Sequence, residues 1–176
     1  TDSDIVGVRF PYRSEFPDAR GGDDPEFSQH TTKPYFVVAE VKRSVCQLNG
    51  PWTDRSKQNI NAVLGDLGIF RDQALPEAAE SLYDRGFFDC EQFYCSLFCI
   101  GDKENPDIMG RYPSVPQRTW DQILQFVFQR FQTYRDRKAD HDSWDDAGKA
   151  LWDYSRGSSQ QQFTNKVKRQ VGIVVS

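Results

Sequence analysis

Two histidines, His30 and His141, are all this chain offers, which leaves little from which to build an imidazole metal site. His30 sits in a polar loop, where a lone histidine is more often solvated than a base. No apolar run approaches the length of a membrane span, so no membrane-crossing segment is expected. The four cysteines, Cys46, Cys90, Cys95 and Cys99, contain no C-x-x-C spacing and match no familiar zinc or cluster pattern. Cys95 and Cys99 fall in the apolar run FYCSLFCI, where a free thiol behaves as a small hydrophobe. Reduced thiols in a cytoplasmic protein are the expectation. Basic excess is lacking too: the net charge is −4 and the pI about 5.2. That argues against a broad phosphate-binding surface, although a local basic stripe could still serve one. The start of the chain, at Thr1, shows no signal-peptide pattern, and no internal repeat is evident.

What is present is a composition that folds. Aromatic residues make up 14% of 176 residues and charged residues 27%, values of a globular domain with a real core. The most informative stretch is PYFVVAEVK, Pro34 to Lys42. Phe36, Val37, Val38 and Ala39 form a continuous apolar run, as in a strand covered on both faces. Pro34 stands just before it, where a missing N–H costs little. Two charges then interrupt the pattern. Residues i and i+2 of a strand share a face, so Glu40 and Lys42 project side by side at the end of a buried element. Burying charge without a partner is costly. Either the pair marks an exposed strand end or it forms a site.

Upstream, Ile5 to Phe10 reads as a second strand with Asp4 directly before it. An acid on one strand, then E-x-K on the next, then a helix: this order in Asp4, Glu40 and Lys42 resembles the PD-(D/E)xK nuclease superfamily. The resemblance covers residues 1–68 and implies an α/β fold, a small mixed β-sheet flanked by helices with a restriction-endonuclease-like core. The superfamily core runs αβββαβ, and this chain opens at what would be the second strand, lacking the first helix and strand. The resemblance implies Mg2+ or Mn2+ held by Asp4, Glu40 and the carbonyl of Val41, with Lys42 polarising the attacking water. Asp2, Gln58 and Asn59 are the supporting polar candidates. The reaction would be phosphodiester hydrolysis, on nucleic acid and specifically DNA, as in bacterial repair or defence. The alternative is a catalytically inactive nuclease-like module of a larger assembly, with a protein partner or a second copy docked on its aromatic helices; neither reading involves a membrane.

The rest of the chain is read in order. Residues 11–34 are a long polar connection, with Gly21-Gly22 and several prolines. Asn49-Gly50-Pro51 signals a turn. A helix follows with Ile60, Val63, Leu64 and Leu67 at helical spacing, an N-cap among Thr53, Asp54 and Ser56, and Gly68 past its end. Pro76 to Arg85 is a second helix, and Phe93 to Ile100 a strand. Asp107 to Val115 is expected to be extended. Thr119 and Gln122 form a capping box before the clearest helix, with Trp120, Ile123, Leu124, Val127, Phe131 and Tyr134 on one face. Asp140 to Tyr154 is a further helix; its acids around His141 suit a helix N-terminus better than a metal. The domain reading is a single unit over 1–156, with a core over 1–100 and a helical extension over 117–156. Residues 157–176 would be a polar linker and a short β-prone tail, Val171 to Val175.

Overall fold

The computed structural model describes residues 4–11, 24–30, 32–71, 73–139, 144–173 and 175. The elements run β1 (Ile5–Arg9), β2 (Tyr35–Val41), α1 (Gly50–Thr53), α2 (Asn59–Leu67), α3 (Leu75–Arg85), β3 (Phe87–Asp89), β4 (Tyr94–Gly101), α4 (Pro106–Arg111), β5 (Gln117–Thr119), α5 (Trp120–Thr133), α6 (Arg135–Ala139), α7 (Asp146–Ser155) and α8 (Gln160–Gln170). This is an α/β fold with a five-stranded mixed sheet flanked by helices, in the order β1-β2-β4-β3, with β5 also on β4. No helix among the described residues is long and apolar enough to cross a membrane.

The apolar run of β2 is explained by its central place. It pairs antiparallel with β1, Ile5 opposite Ala39, and parallel with β4, Val41 opposite Ile100. A parallel pair needs a crossover, and α1, α2 and α3 supply it. Side chains alternate across the sheet. Val38 and, from β4, Cys95, Leu97 and Cys99 pack against Trp52, Ile60, Leu64 and Leu82 of the crossover helices. Tyr35, Val37 and Ala39 join Tyr94 and Phe98 on the opposite face. A separate cluster, Leu124, Phe131, Phe163 and Val167, holds the C-terminal helices together. Lys168 of α8 is buried and reaches Asp102 at 2.9 Å and Asp121 at 3.1 Å, tying α8 to the chain just after β4 and to α5.

Several expectations are corrected. Residues 107–115 are not extended: Pro106 opens α4, and the Asn105 side chain accepts the Asp107 N–H at 3.0 Å. Asn-Pro here is a cap followed by a first-turn proline, not only a stop signal for the preceding strand. None of Thr53, Asp54 and Ser56 caps α2. Asp54 caps a single 3-10 turn over Arg55–Lys57, and α2 starts after Gln58, whose φ of 52° is left-handed. The linker expected from residue 157 contains α8, with a full capping box between Ser159 and Gln162. Its buried residues Phe163, Thr164, Val167 and Lys168 share one face, so few apolar positions suffice in a polar sequence. The helical part therefore continues to Gln170, beyond the 156 boundary. Val171 and Gly172 form a turn and Ile173 is buried; no strand appears there among the described residues. Of the 140–154 helix, α7 occupies Asp146–Ser155, capped by Asp145, and residues 140–143, His141 included, lie outside the described residues.

Candidate functional site

Glu40 and Lys42 share the sheet face that α1 to α3 cover. Glu40 is only 5% exposed, an unusual place for a carboxylate without partners. It has three. Its Oε1 accepts from the Asn49 side-chain amide at 2.6 Å and pairs with the Lys42 ammonium, while Oε2 accepts from the Trp52 indole N–H at 2.8 Å. The local sequence explains the arrangement. Asn49 precedes α1 with extended backbone, and Pro51 sets the first turn, which carries Trp52 inward to 2% exposure. A buried ion with several charge-assisted hydrogen bonds is held firmly, and losing one donor leaves it exposed to an apolar surround.

Lys42 is fixed through its backbone as well. Its N–H donates to the Ile100 carbonyl at 2.8 Å, and its carbonyl accepts the Trp120 indole N–H at 2.9 Å. Two indoles thus close this end of the sheet, one on the Glu40 carboxylate and one on the Lys42 backbone.

Asp4 lies at the same end of the sheet. Its Oδ2 accepts the Val41 N–H at 2.8 Å, a ladder position that a longer β1 would otherwise fill. Asp4 therefore terminates the β1–β2 ladder, in contact with the residue after Glu40. The Glu40 side chain departs from there into the helical layer, toward Trp52. Gln58 is exposed and donates to the Arg55 carbonyl at 2.8 Å; Asn59 is buried with its side-chain nitrogen unpartnered. Neither hydrogen-bonds Asp4, Glu40 or Lys42. Asp2 lies outside the described residues.

The donor chemistry bears on Mg2+ or Mn2+. Such ions take near-octahedral oxygen ligands. Here both Glu40 oxygens accept from nitrogen donors, one of them a cation. Asp4 offers its second oxygen alone, and no group of three or more His, Cys, Asp or Glu among the described residues is placed to hold a metal. As arranged, the residues do not fit a metal ligated by Glu40. The structure brings together Asp4, Val41, Glu40 and Lys42 at one sheet end and adds Asn49, Trp52 and Trp120, which sequence reasoning did not single out. Their signal was present in the energetics: a glutamate inside an apolar run requires donors, and Asn49 and Trp52 stand nine and twelve residues downstream.

Elsewhere, Asp24 accepts from Arg118 at 2.9 Å. Burial alone would raise the Asp24 pKa, but the Arg118 guanidinium and the Glu26 N–H outweigh it and hold the carboxyl below the usual range. Burial pushes the Cys95 and Cys99 thiols up to about 12, the opposite of a nucleophilic cysteine. Compared with protein-family models, curated proteins and solved structures, the chain matches none.

Proposed function

We propose that this chain is a nuclease-like module that works by binding, and that its acid and lysine pair is structural. The observation that supports this reading is the hydrogen-bond set of Glu40, buried at 5% exposure with Asn49, Trp52 and Lys42 as donors. Three donors fill three of the roughly four lone-pair sites of a carboxylate, and one of them is itself a cation, so the group positions the strand end and α1. Phe131 packs against Trp144, Trp152 and Phe163 of the C-terminal helices, so these four rings are spent on one another and are not offered to a partner.

The second reading is a Mg2+- or Mn2+-dependent nuclease acting on DNA. It is favoured by the position of Asp4, whose carboxylate reaches the backbone beside Glu40. Incubation of the protein with linear, circular and single-stranded DNA in Mg2+ or Mn2+, alongside Asp4→Ala and Lys42→Ala, separates the two. The binding reading expects intact DNA under every metal. Metal-dependent cleavage lost in both variants would replace it with the nuclease reading.

A further inference from the structure

The C-terminal helices frame a small polar cavity of about 190 Å³, where the ends of α5 and α7 meet the start of α6 and the loop before α8. Arg135 and Arg156 line it together with Gln132 and Ser158. No carboxylate among the described residues lines it; the sequence neighbours Asp136 and Asp153 stay outside. Two guanidiniums sharing so small a space repel each other unless something between them carries negative charge.

Little within the protein neutralises the pair. Among the described residues Arg135 has no hydrogen-bond or ion-pair partner. Arg156 has one, Asp153 at 3.9 Å, with the two side chains 63% and 54% exposed, so that contact holds it weakly. Each arginine follows a helix C-terminus, of α5 or of α7, and a cation suits either place. The helix ends explain one arginine each; they do not explain why both line one cavity that the adjacent acids leave. The surrounding charge points the same way. From residue 117 on, ten Lys and Arg face seven Asp and Glu, on a chain of net charge −4.

Size and donor type narrow the ligand. Sites for organic molecules span roughly 300–1,000 Å³, and this cavity is smaller. A guanidinium fork matches the oxygens of a phosphate in bidentate geometry. Two forks around one space suit an anion with oxygens on every side. Neutral donors remain as well. The Ser158 hydroxyl has no partner among the described residues, and the Gln132 amide makes only a long contact, 3.5 Å, to the Ser155 carbonyl.

We infer that this cavity binds a dianionic phosphate: inorganic phosphate, or the terminal group of a small phosphomonoester whose organic part stays outside. Arg135 and Arg156 hold its oxygens, and Gln132 and Ser158 add neutral donors. The site shares no residue with the Glu40 cluster and does not depend on how that cluster is read.

The test is a titration of the whole protein, at constant ionic strength in chloride, with inorganic phosphate, O-phosphoserine or dimethyl phosphate. Nitrogen–proton correlation spectra follow the amides of Gly157 and Ser158, which line the cavity. Both should shift saturably with phosphate or O-phosphoserine, with half-saturation at or below about 1 mM. The tighter of the two identifies the source, free phosphate or a phosphomonoester. Arg135→Gln and Arg156→Gln should each raise the half-saturation at least about tenfold. Arg169→Gln, outside the cavity, should leave it unchanged. Spectra without added anion establish that each variant keeps the wild-type fold. Arg135→Lys and Arg156→Lys, which keep the charge and lose the fork, should also weaken binding. The inference is overturned by wild-type shifts that do not saturate, by equal binding in the Arg135→Gln, Arg156→Gln double variant, or by dimethyl phosphate, a monoanionic diester, binding as tightly as the dianions.

Discussion

Replacing Trp52 with phenylalanine examines the Glu40 clasp at its most buried member. The substitution keeps a ring in the core but removes the one donor on Glu40 Oε2 among the described residues, an N–H at 2.8 Å. A hydrogen bond to a charged group contributes about 1.5–3 kcal/mol net, and a buried charge left short of a donor falls at the upper end. The smaller ring leaves a partial cavity worth about 1 kcal/mol, given the cost of larger aromatic truncations. The sum is about 3–4 kcal/mol, a large share of the roughly 5–15 kcal/mol that holds a domain folded. Trp120→Phe is the built-in comparison. Its indole donates to a neutral carbonyl at 2.9 Å and the ring is only partly buried, so about 1 kcal/mol is expected. Urea unfolding followed by far-UV circular dichroism measures both. In a double-mutant cycle, Trp52→Phe and Glu40→Ala should be non-additive by about 2 kcal/mol. If Trp52→Phe costs no more than Trp120→Phe, Glu40 is not held as described.

Gly101→Ala should cost at least about 2 kcal/mol, since its Cβ would lie 2.6 Å from the Cys46 nitrogen and 2.7 Å from the Ser44 oxygen, both backbone; Gly7→Ala, in open space within a strand, should raise the urea midpoint by the equivalent of about 0.4–1 kcal/mol. In native protein a thiol reagent should label Cys90 alone within minutes, because Cys46, Cys95 and Cys99 are buried; equal labelling of all four would contradict the packing of β4. The Asp24 pKa is depressed in the folded state, so its stabilisation is present above the ordinary Asp value of about 3.9 and lost as pH falls through the lower folded value. The stability gap between wild type and Asp24→Asn should accordingly be full at neutral pH and close in strong acid, and a gap independent of pH would refute the pairing with Arg118.

Much of this architecture was legible because its elements have strong local signals. β2 and β4 are apolar runs of strand length, and α5 carries both a capping box and a long periodic face. The meeting of Asp4, Val41, Glu40 and Lys42 at one sheet end followed from strand alternation and order. What sequence could not supply was the direction of the Glu40 side chain. That depends on α1 closing over it, and the Asn49-Gly50-Pro51 turn signal says nothing of where Trp52 points. α8 was hidden for a different reason. A helix anchored by Phe163 and Val167 and one buried lysine needs so little apolar content that its sequence reads as linker. α4 was hidden by the double meaning of Asn-Pro, which ends one element and caps the next.

The most direct measurement is the thermal midpoint of the protein in EDTA and across a titration of Mn2+ and of Mg2+ into the millimolar range. A cation bound by the native state alone raises the midpoint in proportion to its occupancy. With Glu40 held by Asn49, Trp52 and Lys42, the midpoint should not move with either ion. A saturable rise that Asp4→Ala abolishes would contradict the account and place a metal at the end of β2.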